Sequence, residues 1–312
     1  MKIVILGGSG FLGSWVVRAL VAGGHEVTVP LRSPDPWRLS GVHANRVELA
    51  GEDDLQRVVR ESGADALVSL DWAGVIGPER DRDSQQLNAD RLERTILSAV
   101  DSGIPRIVVA GSQAELGPQE GVATAESPPA PATAYGRAKV RALDVLRQHA
   151  ENGGAGWHWG RVFSVFGAMD HPTTLLSMLA AAGARHEAIG VSAGRKPWSY
   201  LDAEDAATAF VLLATGRCPS GIVNVASPSA PPLRHSIEVF TAALATAPSI
   251  SFGTEDNMRL EADVTPLTTA GWRPAVQVDD QLRRAAAWYS GRPVADPFLT
   301  GAMLPEPATT TS

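Results

Sequence analysis

The chain has 312 residues, 44% of them hydrophobic and 20% charged, a formal net charge of −7 and a pI near 5.5. That length buries a full core and suits one large or two intimately joined domains, while the acidic balance argues against nucleic-acid or anionic-membrane partners, which need clustered positive charge. A single cysteine, Cys218, excludes an internal disulfide and any cysteine-based structural metal site and fits a reducing cytoplasm; no metal is expected.

Residues 2–6 (KIVIL) read as a buried parallel strand, GGSGFLG follows, and SWVVRALVAGG has helical apolar spacing. The first apolar run is too short for a signal peptide, and no run approaches the roughly 18 apolar residues of a membrane span, so a cytoplasmic, membrane-free protein is expected. Strand, glycine turn and helix open a dinucleotide-binding βαβ unit. Gly7, Gly10 and Gly13 satisfy one glycine fingerprint; Gly8, Gly10 and Gly13 satisfy another. The early glycines bring backbone amides, with those of Phe11 and Leu12, to a pyrophosphate at the helix N-terminus, and Gly13 lets helix and strand close. The second strand (HEVTVPL, 25–31) ends at Leu31 and Arg32, where such folds place an acidic residue on the adenosine ribose; a guanidinium suits a 2′-phosphate instead, which favours NADP over NAD.

RVELAG (46–51) is a third strand, DDLQRVVRES a helix, and ADALVSLDWAG (64–74) the fourth strand with its outgoing loop. Ligands in open α/β sheets bind at carboxyl strand ends, so Leu49 and Leu70 join the cofactor-binding set, and Trp72 either walls the ligand crevice or caps the core. Residues 81–103 form a long amphipathic helix, 105–117 the fifth strand, which delivers Ser112 and Gln113, and 117–133 a Pro-rich loop. Then comes AYGRAKV, in which Tyr135 and Lys139 stand one helical turn apart on one face. A cation beside a phenol lowers its pKa and makes a proton-transfer device. The chain holds only three lysines and three tyrosines, so this pairing is not an accident of abundance.

GWHWGRVFSVFG (156–167) is strand six, 172–196 a helix plus a loop, 196–215 a strand and helix, and 221–227 a last strand. Helices fall around 235–246 and 279–289, and a Pro- and Thr-rich tail from Gly291 is expected to be disordered at its end. The fold class is α/β: a Rossmann doubly wound parallel sheet with a smaller C-terminal substrate-binding lid. Residues 1–163 plus about 197–226 form the NADP-binding domain, about 164–196 plus 227–290 the lid, and 291–312 the tail.

GGSGFLG, GSQAELG, AYGRAK, GRVFSVFG, WSYLDAEDAA and AGWRP, in this order and spacing, make the chain resemble an extended short-chain dehydrogenase/reductase of the nucleotide-sugar epimerase/dehydratase/ketoreductase kind over nearly all its length. The resemblance implies Tyr135 as catalytic acid/base, Lys139 as holder of the nicotinamide ribose that also lowers the tyrosine pKa, and Ser112 as hydrogen-bond partner of the reacting oxygen. It implies a nucleotide-sugar substrate touching Trp72, Gln113, Ser164, Lys196 and Arg259, with Arg195, Lys196 and Arg259 the candidates for its diphosphate. It also implies a homodimer packed through the Tyr135 helix and the helix from Arg82 to Ser102.

Departures from the subfamilies narrow the activity. The acid and base that 4,6-dehydratases carry directly after the hydroxyl residue are here Gln113 and Ala114, and the cysteine of GDP-fucose-type epimerase-reductases is again Ala114. Neither side chain exchanges a proton. The expectation is NADPH-dependent reduction of the 4-keto group of a nucleotide-activated 4-keto-6-deoxysugar, with dTDP the preferred nucleotide; the alternative is an NAD-dependent nucleotide-sugar 4-epimerase.

Overall fold

Runs of Val, Ile and Leu that are apolar on both faces build the centre of the molecule, as strands covered on two sides require. The computed structural model describes residues 1–33 and 36–291. In chain order its elements are β1 (Lys2–Leu6), α1 (Phe11–Ala22), β2 (Glu26–Leu31), β3 (Asn45–Glu48), α2 (Glu52–Glu61), β4 (Ala66–Ser69), α3 (Gln85–Asp101), β5 (Arg106–Ser112), α4 (Ala134–Gly153) and β6 (Gly156–Val162). They continue with β7 (Ser164–Phe166), α5 (Leu175–Ala184), β8 (Ala188–Val191), β9 (Tyr200–Asp202), α6 (Ala203–Thr215), β10 (Gly221–Val225), α7 (Leu233–Ala242), β11 (Ser249–Phe252), α8 (Thr265–Thr269) and α9 (Val278–Tyr289).

Seven strands form one parallel sheet in the order β3-β2-β1-β4-β5-β6-β10, the doubly wound arrangement expected. Strand order reverses between β1 and β4, whose ends Leu6 and Ser69 lie in register, so the ligand crevice opens at those carboxyl ends. Trp15 and Leu20 of α1 pack with Phe210 and Leu213 of α6 in the core of one face. Leu92 and Ile96 of α3 pack with Ala142 and Leu146 of α4 in the core of the other. A further apolar cluster joins α5, α7 and α9 through Leu179, Phe240 and Leu282. Among the described residues no helix is long and apolar enough to cross a membrane.

Several boundaries differ from the periodicity. Helix α1 starts at Phe11, three residues before the apolar pattern at Ser14, because the glycine turn runs directly into the helix. The segment 156–167 is two strands: β6 stays in the main sheet, while β7 leaves it to pair with β9. Strands β8 and β11 pair with each other where a loop and irregular chain were expected. Four-residue strands such as AIGV and SISF are too short to display a period. The expectation of tail disorder concerns residues outside those described.

Candidate active site

Strand β5 ends in a reciprocal cap. The Ser112 hydroxyl accepts the Ala114 N–H at 3.2 Å, while the Ser112 N–H donates to Oε1 of Glu115 at 2.5 Å. Glu115 is 1% exposed and also accepts from Trp159 Nε1 at 2.9 Å and Arg161 Nε at 3.0 Å. Burial pushes its carboxyl up and the Arg161 guanidinium pulls it back towards the anion. A buried carboxylate persists only with such partners.

Helix α4 opens on Thr133, whose hydroxyl accepts the Gly136 N–H at 3.1 Å. A Cβ on Gly136 would stand 2.3 Å from the Ala114 carbonyl oxygen, so glycine is what lets the helix start rest on the Ser112 turn. Tyr135 and Lys139 are therefore delivered to Ser112 from one helix face, and all three are buried. The Ser112 hydroxyl stands close enough to the Tyr135 phenol to favour its anion. The Lys139 ammonium donates to the Ala110 carbonyl at 2.7 Å and lies 3.7 Å from the centre of the Trp72 ring. Trp72 is thus more than a wall or a cap: its indole N–H donates to Gln85 at 2.7 Å, and its face seats the ammonium.

The expectation that Lys139 lowers the Tyr135 pKa needs correction. Burial pushes the phenol up to about 12, opposed by the Ser112 hydroxyl and by Arg80, and reinforced by Glu115. Lys139 itself is pulled down to about 7 by burial, against the Glu115 and Asp71 carboxylates. Desolvation outweighs attraction for both groups, because the ammonium is aimed at Ala110 and Trp72 while its distance to the Tyr135 ring centre is 5.8 Å.

At the cofactor end, Gly7 has φ +72°, and a Cβ on Gly13 would stand 2.0 Å from the Gly7 carbonyl oxygen. Gly10 precedes α1 without a side-chain cap, and no acidic residue occupies the first turn, so the helix N-terminus is left open to an anion. This fits a dinucleotide pyrophosphate. A cavity of about 550 Å³ adjoins the loop, lined among others by Gly7, Ser9, Arg32, Leu49, Asp71, Arg91 and Arg94. Arg32 reaches across it to pair with Asp71. Leu70 contributes its backbone, against which Gly7 packs.

On the substrate side Ser164 lies in register with Tyr200 across the β7–β9 pair, and Gln113 is half-buried at the first position of the turn after Ser112. Arg259 pairs with Glu261, and its Nε is buried with no hydrogen-bond partner among the described residues. The adjacent Leu260 packs with Leu116 and Phe163, which brings this segment to the side of the Ser112 turn. Arg195 is exposed and held by Asp256 at 3.2 Å; the Lys196 side chain is exposed. Sequence reasoning passed over Glu115, Trp159, Arg161, Arg80, Asp71, Arg91 and Arg94. The S-x-x-E spacing from Ser112 signalled Glu115, and the i, i+3 spacing of Arg91 and Arg94 signalled a shared face.

The model of the NAD dependent epimerase/dehydratase family matches residues 3–226, a segment that carries the glycine loop, Ser112, Tyr135 and Lys139. The chain belongs to this family. Within the epimerase/dehydratase family it is 28% identical over 245 residues to the 2′-dehydrokanamycin reductase of Streptomyces kanamyceticus, a match covering 76% of this chain and 65% of that relative's length. It is 27% identical to the dTDP-6-deoxy-L-talose 4-dehydrogenase (NAD(P)(+)) of Kitasatospora kifunensis, covering 94% of this chain and 97% of the relative. Among solved structures, the UDP-N-acetylglucosamine 4-epimerase of Methanobrevibacter ruminantium M1 in complex with UDP-N-acetylmuramic acid superposes with a TM-score of 0.83 at 20% identity, covering 93% and 98% of the two chains. MoeE5 in complex with UDP-glucuronic acid and NAD superposes with a TM-score of 0.80 at 22% identity, covering 93% and 99%. These likenesses establish the shared fold.

Proposed function

We propose that this epimerase/dehydratase family member is an NADPH-dependent reductase of the 4-keto group of a nucleotide-activated 4-keto-6-deoxysugar, with dTDP the preferred nucleotide. The observation that carries the reading is the buried grouping of Ser112, Tyr135 and Lys139 with no second exchangeable acid or base facing it from the Ser112 turn. Gln113 and Ala114 cannot exchange a proton, and Glu115 is committed to Ser112 N–H, Trp159 and Arg161. Such a site moves one proton, as ketone reduction requires, whereas dehydration needs an acid and a base on adjacent carbons. The curated relatives include a reductase and 4-dehydrogenases, which is in keeping with hydride transfer to or from a sugar carbon.

The glycine loop and the amides at the start of α1 would hold a reduced nicotinamide dinucleotide, which would supply the hydride. As the carbonyl carbon accepts it, the C=O π pair moves onto oxygen. Ser112 donates a hydrogen bond to that oxygen, Tyr135 gives it the phenol proton, and the phenolate recovers a proton from solvent. With cofactor bound, Lys139 would turn its remaining donors to the nicotinamide ribose. Arg32 exchanges Asp71 for a 2′-phosphate, and Arg259, with its fork partly unbonded, meets the substrate diphosphate beside the Ser112 turn. The working unit is a homodimer formed through α3 and α4, on which Leu87 is 61% exposed.

Incubating the purified protein with NADPH and dTDP-4-keto-6-deoxyglucose tests the reading: NADPH absorbance falls and a dTDP-6-deoxysugar accumulates. No oxidation with this sugar or its CDP, GDP and UDP counterparts, together with nicotinamide that survives gel filtration in stoichiometric amount, transfers the assignment to the 4-epimerase.

A further inference from the structure

Arg80 lies in the 3₁₀ turn Gly77–Asp81, between β4 and α3. Its neighbour Asp81 accepts the Ala134 N–H at 3.4 Å, so this turn is docked on the N-terminus of the helix that carries Tyr135. The Arg80 guanidinium carbon stands 5.0 Å from the centre of the Tyr135 ring. Its Nε is buried and has no hydrogen-bond partner among the described residues. The carboxylates on either side are occupied elsewhere: Glu79 pairs with Arg82 at 2.8 Å, and Asp81 serves α4.

The other groups facing Tyr135 are few. From α4 comes Lys139, committed to the Ala110 carbonyl and the Trp72 face. From the turn after β5 come the Ser112 hydroxyl and the Glu115 carboxylate, the latter locked to Arg161. From β4's outgoing loop, Asp71 acts on Lys139. Arg80 is therefore the cation placed over the phenol with, among the described residues, no carboxylate of its own to neutralise it.

We propose that Arg80 is the positioning residue that poises Tyr135 for proton transfer, its guanidinium stabilising the phenolate that remains when the phenol proton leaves. This rests on Tyr135 being the proton donor. A guanidinium stays charged at any working pH, whereas an ammonium buried as Lys139 is, and pulled down to about 7, is only partly charged at neutrality. A cation over the ring attracts the neutral phenol weakly and the phenolate strongly, so it favours ionisation. Loss of Arg80 therefore raises the Tyr135 pKa.

The test needs no substrate. With 3,5-difluorotyrosine in place of the three tyrosines, fluorine NMR follows each phenol against pH, with and without NADP⁺, and Tyr135→Phe assigns the signal. Arg80→Gln moves the Tyr135 midpoint up by about one pH unit, a tenfold change in ionisation constant. Arg80→Lys restores at least half of that, and Lys139→Met moves the midpoint less than Arg80→Gln does. The proposal is overturned if the midpoint stays put in Arg80→Gln, if Lys139→Met moves it more, or if the wild-type signal never titrates while the protein is folded. Failure of the parent reading looks different: Tyr135→Phe would then keep reducing the keto sugar, whatever the fluorine titration gives.

Discussion

Two arginine–carboxylate pairs flank the ligand crevice, and they are built oppositely. At the catalytic end Arg161 and Glu115 have side chains 3% and 1% exposed; at the adenosine end those of Arg32 and Asp71 are 59% and 17% exposed. The inner pair is surrounded by donors, with Trp159 and the Ser112 amide both donating to Oε1 of Glu115 while Arg161 takes Oε2. Removing one partner of such a pair leaves a buried charge, at a cost of about 3–5 kcal/mol. The outer pair is screened by water and contributes about 0–1 kcal/mol, so a phosphate can take Arg32 from Asp71 at little cost. Charges beside Ser112 are thus fixed by burial, and the pair at the rim of the cavity is left exchangeable, as the proposed role of Arg32 in choosing the cofactor requires.

The largest effect is expected where the buried end does its chemistry. Tyr135→Phe lowers turnover by roughly 10²- to 10⁴-fold while the protein remains folded by circular dichroism. A variant keeping more than about half the wild-type rate would remove Tyr135 as the acid. Glu115→Gln attacks the scaffold behind it: an amide nitrogen meets the Arg161 guanidinium, and stability falls by about 3–5 kcal/mol in denaturant unfolding. A loss below about 1 kcal/mol would mean that the inner pair behaves like the outer one.

At the rim the consequence is choice, not folding. Arg32→Ala weakens NADPH binding by about 1.5–3 kcal/mol and NADH binding much less, with stability nearly unchanged, as read by calorimetry. Equal weakening of the two cofactors would end the 2′-phosphate assignment. The smallest effect is a slope with pH. Burial lowers the folded Lys139 pKa from 10.5 to about 7, so between those values the unfolded chain holds more proton, and the contribution of this group to stability rises with pH. Lys139→Met abolishes that rise. Wild type should gain on the variant by at most about 1.4 kcal/mol per pH unit between pH 7.5 and 9.5 in denaturant melts; a constant difference across that window would mean that Lys139 stays charged in the folded protein.

Much of this site was legible without coordinates because its signals are local. Gly7, Gly10 and Gly13 mark a turn within seven residues, Tyr135 and Lys139 one helical turn, and Ser112 the end of an apolar strand run. The short strands β8 and β11 carried too few residues to show a period, and β7 reads as a continuation of β6 because nothing in FSVFG says which sheet it joins. Glu115 had a local cue in the S-x-x-E spacing, but its partner Arg161 lies 46 residues away on β6.

From the sequence alone came the parallel α/β sheet, the glycine loop at the start of α1, and the helix face that presents Tyr135 and Lys139. Each follows from hydrogen bonding and side-chain geometry over a few neighbouring residues. The direction in which Tyr135 titrates, the cation that sits over its ring, the carboxylate that grips Arg161 and the pairing of Arg32 with Asp71 were decided only by the tertiary structure. Those properties depend on how much water is excluded and which charges remain near, and both are set by segments that meet only when β4, β5, α4 and β6 pack together.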